Sequence, residues 1–346
     1  MPNLDTGHYF LTTLAPIKTG TTHDDRGVCV SFEQKLRMTL ATLPTAVQSP
    51  ATEKIQINSP FSRNLRTHLC RFMVLDDVIY NGRVDQNAIA ASAKGADPIV
   101  PQKVDRLNAA YLMFAADIDA VTEDGDPLPE NLTEQEQHAV RDSYARKLWE
   151  TMEPEIREIY GNCFGFDQVN DANGFANYLQ RCQVETTMPF NDYWIKAPKF
   201  HSLPVAALAA LVLIPLIVTL LALLGWILHT EYVPVLHWFL NWTPGWTLLG
   251  GLILTALAIW KAYTYVLNNG NKPLPPGKYA DLPSVLKSIY LQQNFADFVV
   301  DMQSKSDTQI HKAFGEFLDQ QKPSDKLKPS QVPGVISMRR KNAISK

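Results

Sequence analysis

Between Leu203 and Leu228 lie 26 consecutive residues without a charged side chain, in the stretch SLPVAALAALVLIPLIVTLLALLGWIL. A bilayer core is crossed by roughly 20 helical residues at 1.5 Å each. A soluble core helix this long needs protein on every side, and the rest of the chain is too small and polar to supply it. Pro215 interrupts the middle, which a membrane helix tolerates where neighbouring groups satisfy the freed carbonyl. Trp226 stands near one end, at the depth where indoles collect. The spacing predicts a membrane span over 202–228. A second span, WTLLGGLILTALAIWKAYTYVL, covers 246–267 and has one charge, Lys261, close enough to its end to reach the headgroups. Gly250, Gly251 and Ala256 offer close approach to a first helix carrying Ala206, Ala207, Ala209 and Ala210.

The flanks orient this hairpin. Lys196 and Lys199 precede the first span, Lys272 and Lys278 follow the second, and the link HTEYVPVLHWFLNWTPG contains no Lys or Arg. The positive-inside bias puts both termini in the cytoplasm and the aromatic link, with Tyr232, Trp238 and Trp242, outside. The expected localisation is an integral membrane protein of the inner or plasma membrane with two spans. The N-terminus lacks a basic region followed by an apolar core, so no cleaved signal is expected. His229 and His237 in the link read as polar interface residues.

Charge excludes one class of partner. With 32 basic and 35 acidic residues the net charge is −3, which provides no general attraction for nucleic acid. Four scattered cysteines, Cys29, Cys70, Cys163 and Cys182, form no CxxC pair and suit reduced thiols facing the cytoplasm.

Residues 1–195 form the expected cytoplasmic domain. Strands are expected at 8–17, 67–78, 109–120 and 183–194, where β-branched and aromatic residues cluster. Helices are expected at 31–43, opened by Ser31, at 133–161, opened by Thr133 and Glu136 in capping-box register, and in a short run before Cys182. The order β-α-β-β-α-β gives the fold class: an α+β protein with a ferredoxin-like domain, a transmembrane hairpin and a C-terminal helical segment. Apolar residues of both parities, Cys70, Phe72 and Val74 against Leu69, Met73 and Leu75, predict a sheet buried on both faces. The second face is covered either by a second copy of the sheet or by the C-terminal segment.

This order with a two-sided apolar sheet resembles the dimeric α/β-barrel superfamily, which includes dye-decolourising peroxidases, chlorite-dismutase-like haem proteins and small monooxygenases. The resemblance covers the N-terminal 195 residues and rests on topology. It implies a homo-oligomer and haem as the cofactor to consider. The Gly-x-x-Asp-Gly element of the peroxidases is only echoed: GNCFGFD (161–167) has no Asp-Gly, and EDGD (123–126) has no glycine three residues ahead. No histidine is therefore assigned to haem.

With the first and third strands taken as parallel neighbours, Lys18, His68, Asp117 and Asp119 converge at one sheet edge. His68 with Asp117 and Asp119 is the candidate catalytic group, a histidine with carboxylates serving as general base, the alternative being that the carboxylate pair holds Mg²⁺. The bland alternative is a solvated strand rim with an ion pair. Arg71, with Tyr111 and Met113 on the covered face and Lys18 at the rim, is the candidate ligand-binding set, because a buried arginine needs an anion. Alternatively Arg71 pairs with Asp117 inside the sheet. Asp76 and Asp77 read as turn residues, and no metal ligand set is assigned. No phosphate-binding glycine loop or nucleophile elbow occurs.

A proline-rich linker spans 268–281, an amphipathic helical hairpin 282–321, and a flexible basic tail with Arg339, Arg340 and Lys341 spans 322–346. The hairpin's apolar faces need each other, the N-terminal sheet or the inner leaflet, and docking on the N-terminal domain is expected. Two function readings result. The first is a membrane-anchored cytoplasmic ligand-binding or accessory protein acting at the inner leaflet, with the bilayer, a second copy or a membrane protein, and a small lipophilic ligand as partners. The second is a membrane-bound, haem peroxidase- or monooxygenase-like oxidoreductase acting on a lipophilic substrate. Whether the protein is an enzyme stays open.

Overall fold

A computed structural model describes residues 4–76, 93–95, 107–121, 133–184, 203–235, 242–270, 272, 274 and 277–335. Expectations for 185–194, for Asp77, for His237 and Trp238, and for the tail beyond residue 335 lie outside the described residues. The protein is mixed α+β and divides into two units: residues 1–196 with 275–346, and residues 197–274.

The sheet of the first unit is antiparallel. Strand β1 is Leu4–Asp5, β2 His8–Pro16, β5 Thr67–Leu75, β6 Tyr111–Asp119 and β7 Gln183–Val184. The order is β1-β2-β6-β5, and β7 also pairs β2. A small ribbon pairs β3 (Thr21–His23) with β4 (Cys29–Ser31). Strands β2 and β6 run antiparallel, with His8 opposite Asp119 and Pro16 opposite Tyr111. The expectation of parallel first and third strands is therefore corrected, and with it the set of residues that meet at each end of the sheet.

One face carries the core. Tyr9, Leu11 and Ala15 of β2 and Leu112, Phe114 and Ile118 of β6 alternate inward, as a period of two requires. Helix α1 (Phe32–Thr42) starts at Ser31, whose hydroxyl accepts from the Gln34 N–H; α2 is Pro50–Ile55. Helix α3 (Glu134–Tyr160) starts at the expected Thr133/Glu136 capping box and kinks at Met152, just ahead of Pro154. Proline removes a backbone donor and clashes with the preceding turn. Helix α4 (Ala172–Cys182) buries Phe175, Tyr178 and Leu179, and the rings of Phe175 and Tyr178 meet Tyr160, and that of Tyr178 meets Phe166, in edge-to-face contacts. The second sheet face is open along β5, where Leu69 is 55% and Met73 39% exposed.

The chain returns to this unit after residue 275. Helices α7 (Leu282–Asp301) and α8 (Asp307–Gln321) pack on each other through Phe295, Phe298, Phe314 and Phe317, with ring centroids 5.1 Å apart at the closest. The buried Lys287 ammonium donates to the carbonyls of Gln321 and Pro329, both at 2.7 Å. Val47 donates to the Gly334 carbonyl at 2.7 Å and bridges Val335 in parallel, while Asn58 donates to Pro333 at 2.8 Å. Residues 333–335 thus run along the N-terminal segment.

The second unit contains α5 (Val205–Ile227, 23 residues) and α6 (Pro244–Gly270, 27 residues). At 1.5 Å per residue they are about 35 and 40 Å long, against a hydrocarbon core of about 30 Å. Both are long and apolar enough to cross a membrane, and most of their apolar surface is exposed. They pack closely where Gly251 meets Thr219, whose hydroxyl donates to the Pro215 carbonyl at 2.7 Å and lies 3.3 Å from Thr255. A Cβ on Gly251 would run into the Thr219 side chain, whereas one on Gly250 meets nothing within 4 Å.

Gly251→Leu is accordingly expected to lower the thermal midpoint of the detergent-solubilised protein through about 1–3 kcal/mol of overpacking. Gly250→Leu leaves it near the parent, and equal losses in both variants would show that this contact does not hold the pair. A second expectation concerns pH. Burial pushes the Cys70 and Cys163 thiols up from 9.0 to about 12. The unfolded chain ionises these thiols first, so their contribution is complete below 9.0 and is lost as pH rises toward 12. Denaturant midpoints across that window should fall less steeply in the Cys70→Ala, Cys163→Ala double variant.

Candidate functional site

Strand alternation places His8, Asp117 and Asp119 on the sheet face turned away from α3 and α4, since their neighbours Tyr9 and Ile118 point into the core. His68 reaches the same place by a different route. The ladder between β5 and β6 shifts register between Thr67, opposite Ile118, and Leu69, opposite Asp117. This irregularity leaves His68 as the extra residue, and such a bulge re-aims a side chain that strict alternation would send elsewhere. Thr67 stays on the helical side, its hydroxyl 3.0 Å from the Tyr144 hydroxyl.

Two imidazole–carboxylate pairs result. His8 Nδ1 lies 3.0 Å from Asp117 Oδ1, and His68 Nε2 lies 2.8 Å from Asp119 Oδ1. The two rings face each other with centroids 4.6 Å apart, inclined at 55°. All four groups are secluded: His8 is 1%, Asp117 4% and Asp119 3% exposed, and the His68 side chain is 1% exposed. The second oxygen of Asp119 accepts the Leu282 N–H at 2.9 Å. Leu282 opens α7, behind the N-cap Asp281, so its N–H is one of the donors that a helix start leaves without an intrahelical acceptor. The positive end of the helix favours the carboxylate placed there.

Arg66 braces the site from the side. It donates to the Asp119 backbone carbonyl at 3.2 Å and to the Ser143 hydroxyl at 3.0 Å, and its own carbonyl accepts the Asp119 N–H at 2.8 Å. Burial lowers the Arg66 guanidinium from its usual range, and the nearby Asp119 and Tyr144 oppose that shift.

Of the sequence candidates, His68, Asp117 and Asp119 are thus brought together, with His8 as a fourth member that the sequence reading missed. Lys18 is not part of the group. Because β2 and β6 are antiparallel, the end of β2 lies beside the start of β6, at the far end from Asp119. Lys18 instead pairs with Asp167 at 2.7 Å, donates to the Gly161 carbonyl at 2.9 Å and sits 5.5 Å above the Phe32 ring. Arg71 is exposed opposite Ala115, so neither the expected buried arginine nor its pairing with Asp117 forms. Tyr111 donates its hydroxyl to Asn108 at 2.7 Å, and Met113 stands between Leu14 and Met73. Asp76 pairs with Arg37 at 2.7 Å.

A solvated rim is excluded by the burial of the four side chains. Their seclusion also leaves no approach to either imidazole for a haem macrocycle, so the residues present do not fit that cofactor. The arrangement can hold charge and tie segments together. Comparison with protein-family models, curated proteins and solved structures finds no match to this chain.

Asp119→Ala should remove the His68 partner and the Leu282 acceptor together. Removing one partner leaves the other buried polar groups without a hydrogen bond, at about 1–3 kcal/mol each. Chemical denaturation should show that loss, with faster proteolytic cleavage at the start of α7. An unchanged midpoint and digestion pattern would mean that this carboxylate ties nothing.

Proposed function

We propose that this chain is a membrane-anchored binding or accessory protein whose α+β unit works at the inner leaflet. One observation carries the reading: the segments before and after the two apolar helices, residues 1–196 and 275–346, fold into a single unit. Asp119 holds the first residue of α7, and Val47 pairs with Val335. Segments that fold together must share a compartment, so a chain that crosses a bilayer once must cross back. The two apolar helices of membrane-crossing length found among the described residues meet that requirement. The flanking Lys196, Lys199, Lys272 and Lys278, against a link without Lys or Arg, support the cytoplasm as the shared side.

Within this reading the domain is of the ferredoxin-like kind. The strand order β5-β6-β2-β7 and the helices that follow β2 and β6 in the chain support it. Its working surface is the open sheet face with Leu69, Arg71 and Met73, suited to a lipophilic ligand or a membrane partner. The His–Asp cluster supports a binding role over general-base catalysis, because a base must reach the proton it removes and these side chains are closed off.

Cell fractionation tests the proposal. The protein should stay in the membrane pellet through an alkaline wash and enter solution with mild detergent. Tags at the two ends should both be protected from protease added outside intact spheroplasts, while a site in the link near Glu231 should be cut. Release by alkali, or opposite protection of the two ends, would overturn the reading.

A further inference from the structure

The His–Asp cluster has the composition of a metal site, with its donors gathered close together. One nitrogen of His8, one of His68 and one carboxylate oxygen of Asp119 all lie within 4.8 Å of one another. Ligands around a tetrahedral Zn²⁺ sit about 2.0–2.2 Å from the ion, hence roughly 3.4 Å apart, so closing this set requires shifts of about an ångström. The donors come from three adjacent strands, β2, β5 and β6, and their backbones are already fixed by the ladder.

Two further observations point to a cation. The first is Asp117. Its Oδ1 lies 3.0 Å from His8 Nδ1, the position of a carboxylate that orients a ligating imidazole by accepting from Nδ1 and leaving the lone pair on Nε2. Its Oδ2 is buried and has no hydrogen-bond donor among the described residues. The second is charge. Asp117 and Asp119 are two buried carboxylates, while Arg66, whose guanidinium lies near Asp119, directs its hydrogen bonds to the Asp119 backbone carbonyl and to Ser143. Buried carboxylates need compensating charge; one neighbouring guanidinium offsets at most one of the two, and a divalent ion held between them supplies the rest.

We propose that His8, His68 and Asp119 bind a divalent transition-metal ion of the Zn²⁺ type, with Asp117 positioning His8 from behind. Nitrogen and oxygen donors in this proportion suit Zn²⁺ and its first-row neighbours over Ca²⁺ or Mg²⁺. The ion takes the place of the proton between His68 Nε2 and Asp119 Oδ1, and that proton leaves to solvent or moves to the other ring nitrogen. Asp119 keeps its second oxygen on the Leu282 N–H, so the ion clasps the C-terminal helical arm to the end of the sheet. The site stands apart from the membrane placement, because all of its residues belong to the first unit.

Full-length protein in mild detergent, stripped with a chelator and re-dialysed against Zn²⁺ or Co²⁺, provides the test. Metal analysis should find one ion per chain, the Co²⁺ form should show a visible ligand-field spectrum of low coordination number, and the thermal midpoint should rise with the ion. His8→Gln and Asp119→Asn should lose the ion. Asp117→Asn should keep it with roughly 10–100-fold weaker affinity. His229→Gln and His311→Gln, at exposed positions, should match the parent. A parent protein that retains no ion, or a His8→Gln, His68→Gln double variant that binds with parental affinity, would overturn the site. If the His8 or Asp119 variants fail to fold, the parent's metal content still decides the site, and equal affinities of parent and Asp117→Asn would overturn the role given to Asp117.

Discussion

The carboxylate of Asp119 joins three parts of the chain that are distant in sequence. One oxygen meets His68 on the neighbouring strand and the other accepts the first N–H of α7. A carboxylate 3% exposed is tolerable only with such partners, since an ion taken from water unpaired costs several kcal/mol. The interaction therefore works in both directions. The C-terminal arm supplies a donor that the carboxylate needs, and the carboxylate supplies an acceptor that the helix start needs. The topology of the whole chain depends on this tie, because residues 197–274 lie between the two partners.

The site is a consequence of backbone geometry more than of local composition. Antiparallel pairing of β2 and β6 brings His8 opposite Asp119. The irregularity at His68 turns a side chain that would otherwise sit out of register toward the same face. The two rings and two carboxylates then fill a small closed volume with Arg66 beside it. This seclusion is what the small cation proposed for the site requires, since a closed cluster of donors admits little else.

Much of the architecture was legible in the sequence. The charge-free stretch from Leu203 to Leu228 and the capping residues Ser31 and Thr133 are local signals, and α5, α1 and α3 begin within a few residues of the expected points. Asp117, Asp119 and His68 were also legible as neighbours, because adjacent strands in a hairpin-like pair must run antiparallel. Lys18 and Arg71 were misplaced for one reason each. The direction of β2 relative to β6 was taken the wrong way round, which exchanged Lys18 for His8. The cover of the second face was assumed to reach β5, where Arg71 is exposed.

Element type, element limits and the apolar length of α5 and α6 follow from hydrophobic period, capping chemistry and the absence of charge, all of which act over a few residues and need no knowledge of the fold. Strand direction, the irregularity at His68 and the meeting of Asp119 with Leu282 were decided only in three dimensions. They depend on contacts between residues 51 to 163 positions apart, and at that separation no local pattern records which side chains will be buried together.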